Sequence, residues 1–290
     1  MAENLVRQLY MRGRPPPLPK QSLLEEKGSK LVGDDLQTFF AAYKAPIGIE
    51  IEVEGFVERD FPKCVYWRTK EDGSLRDQGC ELVSVPIAGK NIDYALWELE
   101  QAMRTQVPRW SHRCSVHVHI NVRNWTADMF RNLIGTYIVF ENLFFSLAPK
   151  ERKGGGYAYP MRDILPTSVE FGHDDGKYCA LNVGSSTGQF GTVEFRHREG
   201  TSDARQLRRW IQLIVKLHRY VRSTPIQELR DTISRLNTSS EYIQFMNAVF
   251  GKTAQIFPPT VLQYAMEHGV LWSKIFFWSQ TENVRNLRNP

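Results

Sequence analysis

The stretch IGIEIEVEGF, residues 47–56, constrains the fold more than any other part of the chain. Glu50, Glu52 and Glu54 alternate with Ile49, Ile51 and Val53, so a strand of period two carries carboxylates on one face and branched apolar side chains on the other. The apolar face demands a core, and the acidic face demands water or cations. The oddity recurs. In SVHVHINV, Ser115, His117, His119 and Asn121 share one face while Val116, Val118, Ile120 and Val122 share the other. In GTVEFRHR, Thr192, Glu194, Arg196 and Arg198 alternate with Val193, Phe195 and His197, and Glu81 sits between Cys80 and Leu82 in CELVSVP. Strands of this kind suit a curved sheet whose outer face packs on helices and whose inner face lines a wet cleft.

The remaining segments predict an α+β domain. DDLQTFFAAYK reads as a short helix capped by Asp34 or Asp35, leading into the acidic strand. KCVYWRTK and CELVSVP read as a hairpin around EDGSLRDQG, where Asp72-Gly73 offers turn chemistry. Residues 89–106 form an amphipathic helix, and TADMFRNLIGTYIVFENLFFSLAP a long buried one opened by Thr126 and closed before Pro149. KERKGGGYAYP breaks the pattern as a glycine-rich connection. KYCALNVG and GTVEFRHR are two further strands. The segment from Ala204 to Arg222 then carries Leu207, Trp210, Ile211, Ile214, Leu217 and Val221 as an apolar helical stripe, and the C-terminal part reads as helical.

Composition narrows the classes. The 290 residues are 42% hydrophobic and 24% charged, enough for a sizeable core in a soluble globular protein. No apolar run approaches the ~20 residues that cross a bilayer, and the N-terminus lacks the apolar centre of a secretory signal, so a cytoplasmic address is expected. Cys64, Cys80, Cys114 and Cys179 form no CxxC pair and read as reduced, buried thiols. Residues 1–30 carry six Lys/Arg against three Glu, which supplies +3 of the net +5. This Pro-rich arm offers charge for a nucleic acid or protein contact, but nothing else in the sequence supports one. Residues 31–290 then form the catalytic domain.

Carboxylates crowded in one cleft repel one another unless cations lie between them. Oxygen donors suit Mg²⁺, and an added imidazole makes Mn²⁺ an alternative. Glu50 and Glu52, ~6.6 Å apart along a strand, are better placed to serve two adjacent ions than to chelate one. A two-metal or three-metal site that also holds polyphosphate is the expectation.

The order GIEIE, GCELVS, SVHVHI, KYCALN, GTVEFRHREGT resembles the amidoligase branch of the glutamine synthetase and glutamate-cysteine ligase superfamily, over roughly residues 46–220. The resemblance implies ATP-dependent joining of a carboxylate to an amine through an acyl phosphate, on a curved, largely antiparallel glutamine synthetase-like sheet with a concave active-site face. It implies that Glu52 and Glu81 hold one metal and that Glu50, His117 and Glu194 hold the metal bridging the ATP phosphates. Arg196 matches the arginine that contacts the γ-phosphoryl group or the substrate carboxylate. His119, Asn182 and Lys177 match positions lining the cleft, and Arg152 falls where the family has a basic residue after the long helix. Apart from the resemblance, Glu54 and Glu141 are candidate bases for the incoming amine. Two other classes stay open: a metal-dependent hydrolase, and a noncatalytic binding module on a ligase-like fold. Substrate identity and oligomeric state are not encoded legibly.

Overall fold

The computed structural model describes residues 39–104, 106–148, 158–161, 178–186, 191–251, 257 and 259–286. Among them are six strands: β1 (Ile47–Val53), β2 (Trp67–Glu71), β3 (Cys80–Ser84), β4 (Ser115–Asn121), β5 (Leu181–Asn182) and β6 (Thr192–Glu199). Six α-helices accompany them: α1 (Asn91–Met103), α2 (Ala127–Ser146), α3 (Ala204–Ser223), α4 (Ile226–Ser234), α5 (Ser239–Phe250) and α6 (Pro259–Asn286). None is long and apolar enough to cross a membrane, among the described residues. The chain divides into two compact units, with Arg123 ending the main stretch of the first and α3 passing from the first to the second after Ile211.

In the first unit the strands form one open antiparallel sheet in the order β2-β3-β1-β4-β6-β5. Register decides which residues share a face. Ile51 pairs with Leu82 on one side and Val116 on the other, and Ile49 pairs with Val118, so the branched side chains of β1, β3 and β4 stack on one face. Ile47, Ile49, Ile51 and Val53 are fully buried there. Burial of each such side chain is worth roughly 1.5–3 kcal/mol relative to exposure, which offsets the charge crowded on the opposite face. Helix α1 is tied to the apolar side by Trp67, whose indole N–H donates to the Ala95 carbonyl at 2.7 Å. Glu98 of α1 accepts from the backbone N–H groups of Val65 and Tyr66. The first turns of α3 join through His197 against Trp210 and through the buried ion pair of Arg208 with Asp93.

Two local expectations need correction. Of the segment read as a helix before β1, residues 34–38 lie outside the described residues, and 39–42 form turns, with Phe40 and Tyr43 both buried in the core. In the β2–β3 connection the turn forms at Asp72-Gly73 as its chemistry suggests, with Asp72 accepting the Ser74 N–H on its side chain and the Leu75 N–H on its carbonyl, and a second turn follows with left-handed backbone at Asp77 and Gln78, φ 51° and 60°. In β6 a bulge opposite His117 breaks the alternation, so Arg198 pairs with Val116 on the apolar side and Glu199 pairs with Ser115. The four cysteines are buried and free, and burial pushes the Cys64 and Cys80 thiols up to about 12.

The second unit is helical. Thr126 caps α2 by accepting the Met129 N–H, as its position before the apolar run predicts. Phe140 of α2 packs against Tyr242, Phe245 and Phe250 of α5, with ring centroids 5.0–5.7 Å apart. Helices α2 and α6 approach so closely that a side chain on Gly269 would meet the Val139 carbonyl oxygen at 2.3 Å.

Candidate active site

The polar face of the sheet is built by the same register that builds its core. Glu50 pairs with His117, Glu52 with Glu81, and His119 with both Gly48 and Glu194. Asn182 of β5 pairs with Glu194 in turn. Residues far apart in sequence therefore meet as cross-strand neighbours on one face, all within the first unit.

His117 lies at the centre, 3% exposed. Its Nδ1 is 3.3 Å from Glu50 Oε2 and 3.2 Å from Glu194 Oε1. Its Nε2 is 2.7 Å from Ser115 Oγ and 4.0 Å from Glu52 Oε1. His119 places Nε2 3.3 Å from Glu50 Oε2, and its Nδ1 is 3.2 Å from Thr192 Oγ1. Glu194 is gripped from its other side. The Arg196 guanidinium donates to Oε1 at 2.5 Å and the Asn182 amide donates to Oε2 at 2.9 Å.

The electrostatics follow from this crowding. Burial alone would raise the Glu50 carboxyl, but the charge of His119 and hydrogen bonding with His117 reverse it and hold the group well below the usual carboxylate range. Glu194 is likewise lowered against the effect of burial, by His119, His117 and Arg196. His119 is the counterpart: burial opposes its charge, yet Glu50 and Glu194 push it up to about 9. Glu81 behaves differently. Burial and the nearby Glu50 charge push it up to about 7, although Lys70 donates to it at 2.7 Å.

Two sets of donors lie within 4.8 Å of one another: Glu50, His117 and Glu194, and Glu52, Glu81 and His117. Carboxylate oxygens with one imidazole suit Mg²⁺ or Mn²⁺. A buried carboxyl raised toward neutrality, as Glu81 is, marks a place where added positive charge would restore the ionised form. The residues present therefore fit divalent cations.

Other anticipated residues fall elsewhere. Glu54 follows β1, and its carboxylate accepts the Arg76 backbone N–H at 2.8 Å. Glu141 belongs to the second unit, where it is 1% exposed and accepts the Met161 backbone N–H. Each of these carboxylates accepts a hydrogen bond from a peptide N–H through one of its oxygens. Lys177 and Arg152 lie outside the described residues. Two participants escaped the sequence reading. Lys70 pairs directly with Glu81 across the hairpin, a contact that follows once the register is known. Ser115 was visible on the polar face, but its bonds to Glu52 and His117 depend on side-chain geometry that alternation does not convey.

Comparison of the whole chain with curated proteins finds no match. Residues 63–164, about a third of the chain, carry a family signature; the segment includes Glu81, His117 and His119, to which the sheet register joins Glu50, Glu52 and Glu194 from outside it. Over that segment the chain matches the model of an amidoligase family, described as "Putative amidoligase enzyme".

Proposed function

We propose that this protein is a cytoplasmic, ATP-dependent carboxylate–amine ligase that makes an amide or peptide bond through an acyl phosphate, on a sheet of glutamine synthetase-like kind. The observation that carries the reading is the meeting of two carboxylate–imidazole sets on one sheet face beside Arg196. The amidoligase family match supports it.

A carboxylate resists attack by an amine until one of its oxygens is converted to a good leaving group. In the proposed reaction a substrate carboxylate oxygen attacks the γ-phosphorus of ATP and ADP departs. The amine nitrogen then attacks the acyl carbon, inorganic phosphate leaves, and the amine gives up a proton. Such transfers depend on charge neutralisation and alignment rather than on a protein nucleophile. Mg²⁺ or Mn²⁺, when bound, would supply Lewis-acid neutralisation of the phosphate charge. Glu50, His117 and Glu194 would hold one ion and Glu52 with Glu81 another. Arg196, held in place by Glu194, presents a planar fork suited to a phosphoryl or carboxylate group. His119 and Asn182 orient Glu50 and Glu194 from the side. Lys177 is the candidate phosphate contact in this reading and Arg152 a basic residue for the nucleotide, both on the strength of the resemblance.

The test is ADP release from ATP with Mg²⁺ or Mn²⁺ and a mixed pool of amino acids and polyamines, followed by mass spectrometry. The proposal requires ADP that depends on both a carboxylate and an amine, and a product lighter by one water than their sum. Hydrolysis of ATP or of a pool component without a condensed product would favour a hydrolase. Absence of metal-dependent nucleotide binding would favour a noncatalytic module.

A further inference from the structure

His117 belongs to both donor sets, yet a neutral imidazole has one lone pair to give. The two sets cannot both use it as a simple ligand, and the surroundings of the ring decide between them. Ser115 is 2% exposed and donates its hydroxyl proton to Glu52 Oε2. A hydroxyl has one proton, so with that proton directed at Glu52 the Ser115 oxygen is left as an acceptor toward His117 Nε2, 2.7 Å away. Nε2 must then carry a ring proton. On the opposite side Nδ1 faces two carboxylate oxygens, Glu50 Oε2 at 3.3 Å and Glu194 Oε1 at 3.2 Å. A proton on Nδ1 can bridge to these carboxylates, as in the hydrogen bond with Glu50, and a cation held there would take that proton's place on the same nitrogen.

We infer that Ser115 is a positioning residue: by giving its proton to Glu52 and accepting the Nε2–H of His117, it dedicates Nδ1 of that ring to the cation set of Glu50 and Glu194. The inference rests on the two-cation reading above and sharpens it. Glu52 and Glu81 are left as an oxygen-only set, because Ser115 stands at Nε2 closer than Glu52 Oε1, which is 4.0 Å from that nitrogen. The two cation positions then differ in chemistry. The first, with one nitrogen donor, tolerates Mn²⁺ or Zn²⁺, while the second favours Mg²⁺. Hydrogen bonds behind a ligating histidine set its tautomer and its metal affinity, and their loss typically costs about 10- to 100-fold in affinity.

The experiment is long-range ¹⁵N–¹H correlation spectroscopy on the full chain with ¹⁵N-labelled histidine, with His117 identified through the His117→Gln variant and Zn²⁺ as a diamagnetic probe. The expected result is an Nε2-protonated His117 whose Nδ1 resonance shifts on adding Zn²⁺. Ser115→Thr should retain this pattern, and Ser115→Ala should mix the tautomers and weaken Zn²⁺ binding by about tenfold or more. A ring protonated at Nδ1 alone, Zn²⁺ at Nε2, no Zn²⁺ binding, or a Ser115→Ala spectrum and affinity equal to those of the unsubstituted chain would each overturn the inference. The readout needs no turnover. An Nε2-protonated, Zn²⁺-binding protein that makes no ADP would refute the ligase reading alone, whereas ADP formation with a His117 protonated at Nδ1 alone would refute the Ser115 role alone.

Discussion

The two compact units bury polar groups for opposite ends. In the helical unit several buried polar side chains close backbone valences: Asn132 donates to the Val221 and Thr224 carbonyls, Ser273 to Gly135, and Tyr242 to Val139. In the sheet unit Glu50, Glu52, Glu81 and Glu194 crowd around two histidines, at a cost in desolvation and repulsion that folding alone does not require. Satisfied neutral bonds read as architecture. Like charges brought together by register are, in the proposed reading, a site for cations.

The largest effect that would sharpen this contrast is Glu52→Gln. It should lower ADP formation by more than about a thousandfold, in line with loss of a group that acts in phosphoryl transfer. Thermal unfolding in EDTA should stay unchanged or improve, because a repelling carboxylate has been neutralised. A large loss of stability would make Glu52 an architectural residue like those of the helical unit. Phe140→Ala should act in the reverse sense, costing about 3–5 kcal/mol in denaturant unfolding, since its ring packs on three aromatic neighbours.

The units should also respond oppositely to pH. Burial, with nearby Arg222 and Arg219, pushes His218 of the helical unit down to about 3, so the unfolded chain binds its proton more readily. That contribution is present above about pH 6.5 and is lost as pH falls toward 3. In the sheet unit Glu81 is raised to about 7 and Asp93 to about 6, so the folded state holds those protons more tightly and stability falls as pH rises from about 4 to 7. Glu50 and Glu194, both lowered, weaken the unit only at more acidic pH. Residue-resolved hydrogen exchange in EDTA at pH 5 and pH 7 should show protection rising in the helical unit and falling in the sheet unit, each on the order of 1 kcal/mol. His218→Gln should flatten the first response. Parallel responses would erase the distinction. The smallest effect is at a surface cap: Thr238 and Glu241 form a reciprocal capping box on α5, and Thr238→Ala should cost about 1 kcal/mol in thermal unfolding without altering cation binding.

Much of the sheet was legible because alternation is a local code. Glu50, Glu52, His117 and Glu194 declare their face through their neighbours, and Thr126 declares the start of α2 through its place before an apolar run. What alternation cannot show is a change of phase. The bulge in β6 moves Arg198 off the polar face, and the strand formers on either side give no sign of it. Glu141 was legible as a lone carboxylate in an apolar helix, but its bond to the Met161 peptide N–H, twenty positions later, depends on tertiary geometry that the sequence does not carry. Lys70 required the hairpin register before it could be matched to Glu81.

The most direct test of the central claim is the Mn²⁺ stoichiometry of the full chain by electron paramagnetic resonance, compared with Glu81→Gln and Glu194→Gln. The account predicts that the unsubstituted chain binds about two ions and that each variant loses one, Glu81→Gln the weaker and Glu194→Gln the one with nitrogen coordination. A chain that binds no Mn²⁺, or whose binding ignores both substitutions, would mean that the acidic face is not a cation site.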